Sequence, residues 1–129
     1  MLYEVTTKAS PAQAGKALEA AAQRRKFGVL MVHNLRETMA QKGVELSREC
    51  LIYEVCNPIQ AKRVLENNMS IATALPCRIA IFEEGGGTKL STIRPTAMIA
   101  HYGNKALEPV AQEVEEAILA MMDEAAKGQ

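Results

Sequence analysis

Three cysteines, two histidines and a small set of carboxylates carry whatever chemistry this 129-residue chain performs. Cys56 closes one strand-like segment and Cys77 opens the next, so the fold can bring the two thiols close together. Cys56 also directly precedes Asn57-Pro58, which has the form of a helix start. A helix amino terminus stabilises a thiolate, which is what a redox or metal-binding thiol needs. Glu83, Glu54, His33 and His101 are the oxygen and nitrogen donors that could join them. Thiolate, carboxylate and imidazole together are the atom types of zinc sites. The spacing gives little support to that chemistry, because no Cys-x-x-Cys or His-x-x-x-His is present. Free cysteine is among the most buried residue types, so packed core thiols are the expected reading of Cys50, Cys56 and Cys77. By the same reasoning Glu83 leads, solvated, into a turn, and His33 sits beside a helix cap. No metal or cofactor is assigned.

Other features have plain readings. Arg24-Arg25-Lys26 lies at a helix end, where three cations complement the dipole. Gly85-Gly86-Gly87 precedes a strand and no helix, so it reads as a hairpin turn and not a phosphate loop. Fifteen basic and fifteen acidic residues cancel, which leaves no field to attract nucleic acid or anionic lipid. No apolar run approaches the roughly 20 residues that span a bilayer, and the amino terminus lacks the layout of a signal peptide. An odd cysteine count without a dense framework suits a reducing cytoplasm. With 48% hydrophobic and 23% charged residues, residues 1–129 read as one globular domain.

The elements that must position these groups follow from period and punctuation. Residues 2–7 alternate and favour a strand. Ser10-Pro11-Ala12-Gln13 is a capping box with proline at the first helical position, opening a helix to about Arg25. Its inner face, Ala14, Leu18, Ala21 and Ala22, is small. Phe27–Val32 reads as a strand apolar on both faces, with Leu30 and Val32 on one parity and Val29 and Met31 on the other. Asn34 caps a short helix to about Lys42, stopped by Gly43. Glu49–Cys56 is a third strand. A helix from Asn57-Pro58 to Asn67-Asn68 turns Val64 and Leu65 inward, and residues 69–76 read as a loop. Cys77–Phe82 and Thr88–Ile93 form a hairpin around the glycines. The spacing of Leu107, Val110, Ala111, Val114, Ile118, Met121 and Ala125 makes a long closing helix. Glu108, Gln112, Glu115, Glu116, Asp123 and Glu124 fall mostly on its opposite, solvent side. Hairpin-joined strands with helices on one face describe an α+β two-layer domain.

Four blocks of sequence resemble one family. Lys26-Phe27-Gly28-Val29-Leu30, His33-Asn34-Leu35 with Gly43, Tyr53-Glu54-Val55-Cys56-Asn57-Pro58, and Leu75-Pro76-Cys77-Arg78-Ile79-Ala80-Ile81-Phe82-Glu83 look like the signature of domain-of-unknown-function family 302. The resemblance runs from the first strand to about Met98. It implies an antiparallel sheet gripped by a long carboxy-terminal helix, similar in topology to the TATA-box-binding-protein fold, and it implies a homodimer. It implies no activity.

Two functions follow as expectations. The first is a non-catalytic domain that holds a small apolar or amphipathic ligand between sheet and closing helix, with Cys56, Cys77, Glu83 and His33 as candidate contacts. The second is a thiol- or metal-dependent activity centred on Cys56, Cys77 and Glu83. Both sheet faces carry apolar residues and, in a two-layer fold, helices cover only one, so the chain is also expected to pair with itself through the sheet; the alternative is a three-layer monomer in which the helix after Asn57-Pro58 crosses to the other face.

Overall fold

The protein is described by a computed structural model covering residues 1–128. Its sheet has five antiparallel strands in the order β1-β5-β4-β3-β2, with β1 Leu2–Thr7, β2 Gly28–Asn34, β3 Cys50–Cys56, β4 Cys77–Glu84 and β5 Gly87–Ile93. The helices are α1 Pro11–Arg24, α2 Leu35–Ala40, α3 Pro58–Asn67, α4 Pro95–Ile99 and α5 Glu108–Ala126. This is the α+β two-layer arrangement, with α1 and α5 packed side by side over one face.

Local chemistry starts the helices where the sequence places them. The Ser10 side chain accepts from the Gln13 N–H at 3.2 Å, and Gln13 Oε1 accepts from the Ser10 N–H at 3.0 Å. That closes the capping box and satisfies two groups the first turn would leave unpaired. Asn34 caps α2 and Asn57 caps α3 in the same manner. The β4–β5 hairpin turns on Gly85 and Gly86, both with positive φ, as a tight two-residue turn requires.

The main core fills the gap between sheet and helices. Strand alternation turns Tyr53, Val55, Ile79, Ile81 and Leu90 to one face, where Leu18, Ile118, Met121 and Met122 meet them. The small inner face of α1 has a specific reason. An added Cβ on Gly15 would lie 2.0 Å from the Tyr53 hydroxyl oxygen, so only glycine lets the helix settle over that ring. Thr88 and Thr92 are buried on the same face, and their hydroxyls donate to the Ala9 and Arg78 carbonyls at 2.6 Å each.

Three expectations need correction. Residues 69–76 are not all loop: Met69–Ala74 wind as a 3-10 helix that buries Ile71 completely. The stretch between Ile93 and the closing helix, given no element by the sequence, contains α4 and two further 3-10 turns, Ala100–Tyr102 and Lys105–Leu107, the second of which takes in Leu107. The parity assigned to β2 also fails. A bulge at Leu30 shifts the register, so Val29 opposes Val55 and Val32 opposes Tyr53, on one face. Met31 and His33 then fall on the other face.

The acidic side of α5 is less solvated than its pattern implies. Tyr3 Oη donates to Asp123 at 2.6 Å, and Glu124 pairs with Arg24 and Arg25. Glu115 accepts from the Thr96 N–H at 3.2 Å and from its hydroxyl at 2.7 Å, and pairs with Arg94 at 3.6 Å. Three of its carboxylates therefore fasten the closing helix to its neighbours.

Candidate functional site

A cavity of about 60 Å³ lies where β3 and β4 meet the first half of α5. Val55 and Cys77 supply the sheet side, Val110, Ala111 and Val114 the helix side. The end is closed by α3, the Met69–Ala74 turn and α4, through Ala61, Val64, Ile71, Leu75, Met98 and Ile99. These closing pieces form their own apolar cluster of Val64, Ile71, Leu107 and Val110 beside the main core.

Among the described residues the polar amide side chains at the cavity are those of Asn57 and Gln60, and the oxygens of both are occupied. The Asn57 carbonyl oxygen accepts from the N–H groups of Ile59 and Gln60 at 3.0 and 3.2 Å. Gln60 donates to Glu113 at 3.2 Å and accepts from Arg63 at 2.7 Å. Among the described residues no buried side-chain nitrogen or oxygen lacks a partner. The interior therefore offers mainly dispersion contacts to a ligand.

Both candidate thiols belong to this region. The β3–β4 register sets Cys77 opposite Val55, with Cys56 one residue further along. Burial pushes the Cys77 thiol up to about 11, and proximity to Cys56 adds to the shift. Burial also raises Cys56. Asn57 explains why the adjoining helix start does not pull Cys56 the other way: its own side chain engages two of the N–H groups that would stabilise a thiolate. At neutral pH both thiols are protonated and behave as small apolar groups. Burial raises Cys50 as well, at the opposite end of β3.

The other two candidates lie elsewhere. Glu83 is six residues beyond Cys77 along β4, about 20 Å for an extended strand. Its carboxylate accepts from the Glu49 N–H at 2.6 Å and so ties the start of β3 to β4. Arg36 approaches it at 4.0 Å. His33 is on the outer face of the sheet, 3.3 Å from Glu54, which also meets Arg78 at 3.4 Å. Neither residue lines the cavity. Among the described residues no three His, Cys, Asp or Glu side chains converge to hold a metal ion, and no helix is long and apolar enough to cross a membrane.

Sequence reasoning missed part of the cavity wall. Ile71, Leu75, Met98 and Ile99 come from stretches that show no sustained period. One signal was available: Pro95, two residues after Ile93, is the residue type that opens α1 and α3 at their first turn.

The whole chain has close likenesses. The family model described as "Domain of unknown function DUF302" matches residues 3–125. The crystal structure of an uncharacterized conserved DUF302 protein from Bacillus stearothermophilus superposes with a TM-score of 0.92 and is 31% identical. That alignment covers 96% of this chain and 97% of the other. No curated protein matches.

Proposed function

The chain belongs to the family of domain of unknown function DUF302, and on that premise we propose that it is a non-catalytic small-molecule-binding domain with its pocket between sheet and closing helix. One observation carries the proposal. The cavity is walled by apolar side chains and protonated thiols, and the polar side chains at its edge already have partners. A well-packed interior leaves few voids larger than a water molecule, so an apolar void bounded by short helices is a place for a ligand. Cys56 and Cys77 serve as packing surface. Native mass spectrometry of freshly purified protein tests this reading. A co-purifying small molecule, displaced in an Ala111→Leu variant that still folds, supports it. Identical bare masses for both proteins, with no uptake of added short-chain alcohols, count against it.

The protein is further proposed to pair with a second copy through the sheet, without nucleic acid or membrane as partner. The observation behind this is the face opposite α1 and α5. It carries Ile52, Ala80 and Phe82, half-buried, and Met31 of the edge strand is 53% exposed, with Leu30 at the bulge 60% exposed. An apolar patch of this kind marks an interaction site more often than free surface. Light scattering at micromolar protein should give twice the 14.0 kDa chain mass; a value near 14.0 kDa contradicts the pairing. The three free thiols fit a cytoplasmic setting.

A further inference from the structure

Charge and polarizability narrow what the cavity between the sheet and α5 can hold. No charged residue lines it. Beyond Gln60, Arg63 and Glu113 pair with each other at 2.8 Å, so neither is turned to a ligand. An ion placed in the cavity would lose hydration with no counter-charge in return. Its occupant is neutral.

The lining is also rich in sulfur. Cys56, Cys77 and Met98 all belong to it. Cys77 and Met98 border the hollow on the outer face of the sheet as well, which sets both on the same side of the cavity. Burial raises both thiols, so they stay protonated and add no charge. Thioether and neutral thiol sulfurs are polarizable and make favourable contacts with the edge of an aromatic ring, which a saturated group does not reproduce. Ala61 of α3, Ala74 of the 3-10 turn and Ala111 of α5 keep the facing walls short and the space open.

We infer that the ligand is a neutral molecule with one aromatic ring, and that Met98 selects that ring over a saturated group of the same size. This rests on the binding reading above and names the ligand class. Size agrees with a single ring. One water-sized group needs about 10–15 Å³ by the measure that gives the cavity its 60 Å³, so roughly four to six such groups fit. A six-membered ring fills that space. The cavity is partly open to solvent, so a short polar substituent on the ring can remain hydrated.

The test is calorimetric titration of the full chain with benzyl alcohol and cyclohexylmethanol, neutral alcohols that differ in the saturation of the ring. Benzoate is the anionic control and should bind about tenfold or more weakly than benzyl alcohol. Met98→Leu nearly conserves volume and removes the sulfur. Comparing the affinity ratio of the two alcohols between wild type and this variant cancels their difference in hydrophobicity. The ratio should shift against benzyl alcohol by about two- to tenfold, the range of one sulfur–aromatic contact. Ala111→Leu should abolish binding of both alcohols; if that variant does not fold, Ala61→Leu on the opposite wall replaces it. An unchanged ratio in Met98→Leu, with both alcohols bound, would overturn the aromatic assignment and keep the apolar pocket. Benzoate bound as tightly as benzyl alcohol would overturn the neutral class. Alcohol binding that persists in a folded, filled-cavity variant would overturn the location. Failure of both alcohols to bind wild type would overturn the pocket itself.

Discussion

Leu18, Tyr53, Ile79, Ile81, Ile118 and Met121 interlock between the sheet and the pair α1–α5, whereas under α3 only Val64, Ile71, Leu107 and Val110 are buried together. The first region is built from long periodic elements whose side chains arrive in register from both sides. The second is closed by a ten-residue helix, a five-residue helix and 3-10 turns. Short helices present few side chains and owe most of their stability to tertiary packing. They therefore meet the end of the sheet imperfectly, and the cavity lies at that seam. Rigidity and vacancy are thus separated along α5, whose second half holds the fold and whose first half faces the void.

The largest effect should come from the main core. Ile118→Ala removes a fully buried side chain from interlocked surroundings and should cost in the upper half of the ~2–5 kcal/mol range for such changes, measured by denaturant unfolding. Ile71→Ala deletes the same atoms from an equally buried site beside the cavity. It should fall near 2 kcal/mol, because short helices relax more readily around the deletion. Equal costs at the two positions would erase the contrast.

Gly15→Ala sharpens the comparison from the packed side. Alanine is the better helix former by about 1 kcal/mol, yet its methyl would meet the Tyr53 ring end. The variant should lose about 1–3 kcal/mol by overpacking, and Tyr53→Phe, which removes the nearest atom, should recover part of it. A more stable Gly15→Ala protein would show that α1 stands further from the sheet.

The long elements of the first region were legible in the sequence for the reason that makes them rigid. The capping box at Ser10, the glycine hairpin and the stripe from Val110 to Ala125 are local or periodic signals, and the structure follows them. The second region was hard to read because one-turn helices complete no period. Ile71 looks no different in sequence from a loop residue. The bulge at Leu30 leaves no local mark either, since it is set by how β2 lies against β3. Of the candidate contacts, Cys56 and Cys77 lie at the cavity because adjacent strand ends meet there. Glu83 and His33 were grouped with them by chemistry alone, and the length of β4 and the pleat of β2 send them elsewhere.

Glu115 marks the boundary between the two regions. Its pattern position suggests a surface residue worth less than 0.5 kcal/mol. Its bonds to Thr96 and Arg94 instead make Glu115→Ala cost about 1–2 kcal/mol, through the loss of charge-assisted hydrogen bonds that hold α4 in place. At the thiols, Cys77→Ser should cost about 1–3 kcal/mol and Cys77→Ala less, because a hydroxyl there gains no partner. With its pKa near 11, Cys77 should also resist alkylation by iodoacetamide at pH 8 in the native state. Rapid alkylation there would restore a reactive-thiol reading.

The smallest effect belongs to Glu124. Hydrogen bonds from Arg25 and Arg24 hold its carboxyl at about 2, below its ordinary 4.5. A depressed folded-state pKa stabilises the fold above the ordinary value, and that contribution fades as pH falls from 4.5 towards 2. Glu124→Gln should flatten the acid limb of the stability curve in that window and matter little at pH 7 in high salt. An unchanged acid limb would place the ion pairs outside the stability balance.

The void at the seam can be probed directly. Methyl-resolved NMR of the native protein during titration with 1-hexanol reports on Val64, Ile71, Val110, Val114 and Met98 separately from Ile118, Met121 and Leu18. The predicted result is a saturable set of shifts confined to the first group. Shifts that never saturate, or that spread evenly through both groups, would contradict it.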